Sequence, residues 1–241
     1  MSTTREAQIV CLLDVLGFEN QLSTLGLEGM HVKYTKLIEY VKAQTGGVDL
    51  VPTPEGQVGV GWLVIGNAYF SDSLVFWTRY SKMALPSFTN CIAQALCFGL
   101  EIELPLRGSI AVGDAILDVK SGVFLGGPLV EVARGERSQQ WIGASFGPSF
   151  SRAGFNDGFH LNTILPYKSQ YKDKASEHAT GMAVDWPRVW RESRKTDPTS
   201  LVRALNRNPA FTEYYENTER FIAFSESNYD WFRSAPHLTY G

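Results

Sequence analysis

Two aspartates are the side chains of this 241-residue protein best suited to chemistry. Asp14 ends an apolar run, and Asp72 lies between two β-rich runs, with Ser71 before it and Ser73 after it. Carboxylate oxygens are good ligands of Mg²⁺ and Mn²⁺, and two such ions about 3.5–4 Å apart promote phosphoryl transfer. A lone aspartate at the end of a strand is usually a turn residue, so the pairing carries the argument. The pair predicts a two-metal site at which a hydroxyl is activated to attack a triphosphate.

The residues after Asp14 are suited to bind phosphate. Gly17 allows the backbone to turn tightly at the end of the predicted strand. Successive amide groups in such a turn point towards an anion at the start of the next helix. The segment therefore predicts a triphosphate cradle next to the proposed metals.

The elements that position these residues follow from hydrophobic periodicity. Continuous or alternating apolar runs predict strands, and apolar residues at i, i+3, i+4 and i+7 predict helices. Their order predicts an α+β sandwich, a mainly antiparallel sheet with helices packed on it, rather than the regular alternation of a doubly wound fold. The predicted strands are 7–16, 58–70, 74–80, 106–118, 123–125 and 141–147, and the predicted helices begin at Met30, near Ser87 and at Pro128.

The chain divides into a regular part and a less regular one. Residues 1–147 are predicted to form the catalytic core, within which 48–57 is a loop rich in proline and glycine. Residues 148–241 are predicted to be a C-terminal extension packed on the same domain, with a long aromatic helix over 211–232. At 44% hydrophobic residues, the chain is able to bury one large core.

Composition excludes several classes of protein. A net charge of −3 and a pI near 5.8 give no general basic field, so neither nucleic acid nor an anionic membrane is an expected partner. No apolar run approaches about 18 residues, and the start lacks a signal-peptide pattern, which predicts a cytoplasmic, unanchored protein. The three cysteines, Cys11, Cys91 and Cys97, lie in apolar segments without CxxC spacing and are expected to be reduced core thiols.

Four segments, taken in chain order, resemble the class III nucleotidyl cyclases. LDVLGF (13–18) is similar to their first metal-binding motif, and YFSDSLVF (69–76) is similar to the hairpin that carries the second aspartate. LRGSIAVGD (106–114) resembles their next strand, and FLGGPLVEVARGERSQQW (124–141) resembles the glycine-rich step into their transition-state helix. The resemblance covers about residues 7–147. It is closest to the pyrimidine cyclases of the Pycsar anti-phage systems, which have Ser-Asp-Ser in the hairpin and Val-Glu in the later helix.

The resemblance implies a function and a set of ligands. The enzyme would convert UTP or CTP into the 3′,5′-cyclic monophosphate and pyrophosphate, using two Mn²⁺ or Mg²⁺ ions per site. The cyclic product would activate a separate effector protein. The implied metal ligands are Asp14, the carbonyl of Val15, and Asp72; the implied phosphate cradle is formed by the amides of Leu16, Gly17 and Phe18; and Arg107 is the implied phosphate-contacting arginine of the strand.

The transition-state helix departs from the family pattern. In the family this helix supplies an asparagine and, four residues later, an arginine, which stabilise charge at the transferred phosphorus. Here Glu131 and Gly135 fall at those two positions, and Arg134 and Arg137 are offset on either side of the second. Arg134 is the candidate catalytic arginine. By the same resemblance, it would act across a homodimer with two composite sites.

The residues at the positions expected to contact the base do not favour a purine. Purine cyclases carry a lysine four residues before the second aspartate, and this chain has Ala68 there. Tyr69 is a candidate substrate-binding residue, and Asn67 is a second polar group nearby, although strand alternation places both on the face opposite Ala68. Tyr69, Phe70 and Trp62, read as one strand, would narrow the pocket towards a single-ring base. UTP is preferred over CTP only because the resembling family contains more uridylate cyclases.

Three alternatives stay open from the sequence. The first is a purine cyclase, and the second is a catalytically degenerate cyclase fold kept as a nucleotide sensor, which the altered helix motif favours. The third is a serine hydrolase, because residues 143–147 match the Gly-x-Ser-x-Gly nucleophile elbow around Ser145 and His160, His178 and His237 follow it. The hairpin around Asp72 argues against the hydrolase, whose fold needs repeated βα units before the serine.

Overall fold

A computed structural model gives the fold of the chain. It describes residues 7–52, 58–81, 84–152, 163–168, 171–172, 181–206 and 208–230, with no side-chain description for 47–52 and 58–63. The three histidines considered above for a hydrolase, His160, His178 and His237, lie outside the described residues.

A mainly antiparallel sheet of eight strands forms the centre of the molecule. Its order is β4-β5-β1-β6-β8-β10-β9, with β7 paired to the far part of β6, and the pairing of β6 with β8 is parallel. A separate two-stranded sheet pairs β2 with β3. The strands are β1 (Ala7–Val15), β2 (Gly46–Pro52), β3 (Val58–Val64), β4 (Gly66–Phe70), β5 (Ser73–Arg79), β6 (Leu106–Asp118), β7 (Val123–Gly126), β8 (Gly143–Phe146), β9 (Ile164–Pro166) and β10 (Met182–Val184).

Helices cover the sheet, so the predicted α+β class is confirmed. They are α1 (Phe18–Gln44), α2 (Ala84–Glu101), α3 (Gly127–Ser138), α4 (Ser149–Arg152), α5 (Trp186–Arg194), α6 (Thr199–Leu205) and α7 (Thr212–Ser227), with a 3₁₀ turn at Pro209–Phe211 before α7. Among the described residues, no helix combines the length and the apolarity that a bilayer crossing requires.

The two faces of the sheet pack differently because the side chains of β1 alternate. Ile9, Cys11 and Leu13 point into the main core with α1 and α2. Val10 and Leu12 point to the second face, where a smaller apolar cluster forms under α3 and the β6–β7 hairpin. Asp14 continues the second series, so strand alternation carries it to the face covered by α3. All three cysteines are buried free thiols, as predicted.

Residues beyond 147 build part of the same sheet and core. Strands β9 and β10 extend the sheet beyond β8, and the main core includes buried residues of α5 and α7, such as Trp186 and Phe221. The long aromatic helix predicted over 211–232 is α7, which is shorter; residues 231 and 232 lie outside the described part.

Four predicted assignments are wrong. Residues 48–52 belong to strand β2 rather than to a loop, and the run 58–70 is two strands, so Trp62 lies on β3 and not beside Tyr69 on β4. Helix α1 begins before Met30, because a kink at Gly26, with a φ of 69°, hides the helical period of its first two turns. Helix α2 begins at Ala84, whose amide is capped by Ser81 Oγ, and not near Ser87.

Candidate active site at the Asp14 edge of the sheet

Sheet register places Asp14 between two polar neighbours. On β5 it lies opposite Ser73, and on β6 it lies opposite Arg107. Ser73 Oγ donates a hydrogen bond to Asp14 Oδ1 at 3.3 Å, and Arg107 Nη2 lies 3.6 Å from Asp14 Oδ2. Two neighbouring strands thus fix the direction of this carboxylate.

Asp72 lies in the tight turn between β4 and β5, as predicted. Phe70 and Ser73 pair across the turn, and Ser71 has a positive φ of 55°, which leaves Asp72 at the tip. The backbone of the tip is joined to β1, because the amide of Val15 donates to the carbonyl oxygen of Asp72 at 3.1 Å. The structure therefore brings Asp14 and Asp72 together at one edge of the sheet.

Arg107 is the cation of this edge, and it has more than one acidic neighbour. Its Nε lies 2.6 Å from Glu136 Oε1 on α3, closer than its Nη2 lies to Asp14. Its Nη1 donates to the backbone carbonyl oxygen of Gln139 at 3.3 Å and to the hydroxyl of Tyr214 on α7 at 3.4 Å. The side chains of Arg107 and Glu136 are only 12% and 6% exposed, so this pair is largely shielded from water.

Acidic side chains crowd together at this edge. The pKa of Asp14 is raised to about 7, by burial first and then by the negative charges of Glu136 and Asp72, while Arg107 and Ser73 oppose the rise. Burial also raises the pKa of Glu136, with the charges of Arg107, Lys172 and Arg137 opposing. Arg107 thus lies against two carboxylates, Asp14 and Glu136, and like charges that cannot all ionise push the pKa of one of them upwards.

A divalent cation fits this charge distribution. Mg²⁺ is commonly bound by one or two carboxylates together with water and substrate phosphates, and not by an all-protein cage. Among the described residues, no group of three or more histidine, cysteine, aspartate or glutamate side chains is arranged to hold a metal. The fit is therefore to Asp14 and Asp72 with the Val15 carbonyl and phosphate oxygens, because Glu136 is engaged by Arg107.

The predicted phosphate cradle is corrected by one residue. The Leu16 amide donates to the Pro105 carbonyl oxygen at 2.8 Å, so it is already used within the protein. Gly17 takes a left-handed conformation, with φ 72° and ψ 30°, and starts α1 without a side-chain cap. The amides at Phe18 and the next positions of the first turn therefore provide the donors that helix starts offer to anions.

The departures of α3 from the family pattern have structural causes. A side chain at Gly135 would collide with Ser109 on β6, because the helix touches the sheet at this point. Glu131 Oε1 accepts hydrogen bonds from the amide and the hydroxyl of Ser149, at 2.9 and 2.7 Å, and so holds the start of α4. Arg134 and Arg137 are exposed on the outer side of the helix. Arg134 therefore points away from the sheet of its own chain.

The residues considered for base recognition divide between the two faces. Ala68 pairs with Val75, which belongs to the second-face cluster, whereas Tyr69 pairs with Leu74 of the main core. The Tyr69 hydroxyl donates to Asn67 Oδ1 at 2.7 Å, and burial raises its pKa to about 12. The predicted alternation is confirmed, so Tyr69 and Ala68 do not line one surface of the sheet.

Sequence reasoning missed three residues of this edge. Glu136 and Tyr214 hold Arg107, and Tyr34 on α1 has a buried hydroxyl without a hydrogen-bond partner among the described residues. Burial raises the pKa of Tyr34, and the charges of Asp72 and then Asp14 add to the rise, so its hydroxyl lies within electrostatic range of the two aspartates. No spacing rule finds these residues, because they come from three separate elements.

The serine hydrolase alternative does not fit the structure. Ser145 lies within β8 and is 1% exposed, between β6 and β10. Its hydroxyl shares a hydrogen bond with the Tyr171 hydroxyl at 3.0 Å. A nucleophile elbow needs its serine exposed on a sharp turn after a strand, which this position is not.

Comparisons with known proteins find similarity to solved structures. No protein-family model matches the sequence, and no curated protein matches it. A solved structure described as a class III adenylyl cyclase-like ATP-binding protein from Pseudomonas aeruginosa is similar in fold, with a TM-score of 0.40 and 12% sequence identity. The match covers 93% of this chain and 44% of that chain, so this protein spans less than half of its neighbour's length.

Proposed function

We propose that this protein is a metal-dependent nucleotidyl cyclase that forms a 3′,5′-cyclic monophosphate and pyrophosphate from a pyrimidine nucleoside triphosphate. The observation that carries the proposal is the crowding of acidic side chains at the Asp14 edge, where Asp14 is raised in pKa by Glu136 and Asp72 and Arg107 lies against Asp14 and Glu136. Divalent ions would supply positive charge there, and the triphosphate oxygens would provide ligands that the protein lacks. The free amides at the start of α1 lie beside the same edge, where the triphosphate would extend.

The side chains of the site have separate roles in this proposal. Asp14 and Asp72 bind the divalent ions, which when bound activate the 3′-hydroxyl and neutralise charge on the triphosphate. Gly17 and Phe18 lead the backbone into α1 so that its first amides contact the terminal phosphates. Arg107 presents Nη2 beside Asp14, where it contacts a phosphate oxygen and stabilises the charge that develops there.

A homodimer completes the proposed site. Arg134 is exposed on the outer side of α3, so it is free to reach a site formed by another chain. The neighbouring surface is apolar, since Val130 on α3 and Ile116 and Leu125 on the β6–β7 hairpin are 52%, 55% and 59% exposed. Exposed apolar side chains that form a patch are typical of protein interfaces. A two-fold arrangement would bring the outer face of each α3 to the aspartates of the other chain.

The proposed pyrimidine preference rests on one residue position, and the proposed role in defence rests on the family resemblance. Ala68 provides no donor where purine cyclases place a lysine, and a buried polar base edge left unpaired costs about 1–3 kcal/mol. We propose UTP as substrate with CTP next, cUMP as a second messenger in the bacterial cytoplasm, and a separate effector protein that responds to it. The resemblance to Pycsar cyclases is the basis for this role.

One experiment tests the proposed function directly. The protein is incubated with Mn²⁺ and an equal mixture of UTP, CTP, ATP and GTP, and the products are identified by mass spectrometry while pyrophosphate release is measured. We expect cUMP as the main product, with cCMP next. A preference of tenfold or more for ATP or GTP would overturn the pyrimidine assignment, and the absence of any cyclic nucleotide would overturn the cyclase assignment.

The second candidate is a nucleotide sensor without catalysis. The observation that favours it is the structural use of Glu131 and Gly135, the two positions where the family places its transition-state residues. A sensor would bind UTP with Mn²⁺ and release no pyrophosphate. Both measurements on the same sample separate the two candidates.

A further inference from the structure

The guanidinium of Arg107 has partners on the side that faces away from Asp14 as well as on the side that faces it. Nη2 lies beside Asp14, Nε forms an ion pair with Glu136 that is not aligned as a hydrogen bond, and Nη1 donates to the Gln139 carbonyl oxygen and the Tyr214 hydroxyl. The contact with Glu136 is the shortest of these, at 2.6 Å, and the approach to Asp14 is the longest, at 3.6 Å. The partners on the side away from Asp14 therefore lie closer to the guanidinium than Asp14 does.

Tyr214 reaches the site from a part of the chain that the proposed mechanism does not use. It lies on α7, near the C-terminus, 107 positions after Arg107. Two hydrogen bonds of 2.8 Å fix this helix against the segment after α3: Asn217 Nδ2 donates to the Gln140 carbonyl oxygen, and the Ile142 amide donates to Thr218 Oγ1. The position of the Tyr214 hydroxyl relative to Arg107 is therefore set by backbone contacts on both sides.

We propose that Glu136 and Tyr214 are positioning residues that hold Arg107 with Nη2 towards Asp14, which makes helix α7 a working part of the site. This inference rests on the proposed function. Without these partners, the guanidinium would move onto Asp14 and compete with a divalent cation for the same oxygens. Glu136 supplies a counter-charge behind it, and Tyr214 supplies an oxygen that adds no further negative charge to an edge already rich in it.

The Tyr214→Phe variant tests the inference, because it removes the hydroxyl and keeps the buried ring. Since the hydroxyl acts on an arginine that stabilises the transition state, we expect kcat for UTP to fall about fivefold, with KM changed less than about twofold. Glu136→Gln should lower kcat further, about tenfold or more, because the lost partner is charged. A purely structural role predicts a lower unfolding temperature and unchanged kcat per folded molecule, so both quantities are measured.

Tyr40→Phe is the matched control. The Tyr40 hydroxyl also lies 3.5 Å from an arginine, Arg194 Nη2, but far from the Asp14 edge, between α1, α2 and α5. Its removal should leave kcat and KM for UTP unchanged. If Tyr214→Phe behaves like Tyr40→Phe, the inference is overturned.

A double-mutant comparison tests whether Tyr214 and Glu136 change kcat through Arg107. In an Arg107→Met background, Tyr214→Phe and Glu136→Gln should change kcat less than about 1.5-fold, because the group that they position is gone. Arg107→Gln serves as a second background if the methionine variant unfolds, since its neutral amide lacks the charged guanidinium that the two partners are proposed to position. Effects that multiply unchanged in these backgrounds would overturn the inference.

A binding measurement separates this inference from the proposed function. 3′-Deoxy-UTP lacks the attacking hydroxyl, so its affinity with Mn²⁺ is measured by calorimetry whether or not the protein is a cyclase. If the wild type binds it but forms no product from UTP, the cyclase proposal fails. The positioning inference then depends on whether Tyr214→Phe and Glu136→Gln weaken binding in the wild type but not in the Arg107→Met background. No binding to the wild type, or equal binding to all variants, would overturn the inference as well.

Discussion

Within the part of the chain that the structure describes, the Asp14 edge can be compared with a second region where a buried carboxylate meets arginines, and the charges of the two regions balance differently. The first region is the Asp14 cluster: Asp14, Asp72, Arg107 and Glu136. The second, between α5 and α7, is the Asp185 cluster: Asp185, Arg188, Arg191 and Ser225. The pKa of Asp14 is raised to about 7 and that of Asp185 to about 6, and burial is the largest cause of both shifts.

The neighbours of these two carboxylates act in opposite directions. Two further carboxylates raise the pKa of Asp14 beyond the effect of burial. Every neighbour of Asp185 lowers its pKa: the Ser225 hydroxyl, the Arg188 amide and the charges of Arg191 and Arg188. Asp185 also caps the start of α5. Together with Glu192, which pairs with Arg188, the Asp185 cluster balances its charges within the fold. The Asp14 cluster keeps a carboxylate whose acidic neighbours disfavour its ionisation, as groups in binding sites often do, and we propose that a divalent cation binds there.

The largest expected effect follows from removing either metal-site aspartate. Asp14→Ala and Asp72→Ala should each lower cyclic nucleotide formation by about 1000-fold or more, because a lost metal ligand costs several kcal/mol in the transition state. Their unfolding temperatures at pH 8 should match or exceed that of the wild type, since a repelling carboxylate has been removed. Asp197→Ala, at an exposed aspartate before α6, is the control. Near-normal turnover in either site variant would show that the two clusters do not differ in function.

The same substitution in the Asp185 cluster should affect stability instead. Asp185→Ala should lower the free energy of unfolding by about 3–5 kcal/mol, because it leaves buried arginine charge uncompensated and removes the helix cap. Turnover per folded molecule should be unchanged. Denaturant unfolding and active-site titration measure the two quantities. A loss of turnover without a loss of stability would place this cluster in the site.

The Asp185 cluster lies within one chain, whereas we propose that Arg134 of a second chain completes the Asp14 cluster. An equal mixture of inactive Asp72→Ala and Arg134→Ala chains should recover about a quarter of wild-type activity, since half of the dimers are mixed and each holds one intact site of two. Subunit exchange is confirmed with tagged chains. Exchange without recovery of activity would remove Arg134 or the shared site from the proposal.

The smallest expected effect is on the pH dependence of stability. The pKa of Asp14 in the folded protein, about 7, lies above its ordinary value of 3.8, so the folded state holds a proton that the unfolded chain has already released. Metal-free stability should therefore fall as the pH rises from about 4 to about 7, and Mn²⁺ should raise the unfolding temperature more at pH 8 than at pH 6. Asp14→Asn should abolish the difference between the two pH values. An unchanged Mn²⁺ effect in that variant would contradict the assignment.

Local sequence pattern was enough for the α+β class and for the meeting of the two aspartates. Asp14 ends a strand and Asp72 occupies a two-residue turn, and both positions follow from where apolar runs stop and turn residues begin. Strand alternation likewise separated Ala68 from Tyr69. These features depend on neighbours within a few residues, which a sequence displays directly.

Tertiary structure decided the rest. Strand β2 forms by pairing with β3, and the Leu16 amide is used by Pro105; neither partner can be recognised from local propensity. Glu136 and Tyr214 meet Arg107 only because α3 and α7 pack beside β6, at separations of 29 and 107 residues. The sequence by itself determined which residue types stand at the ends of the strands. Long-range packing determined how many charges share one arginine, because electrostatic balance depends on distance in space and on burial.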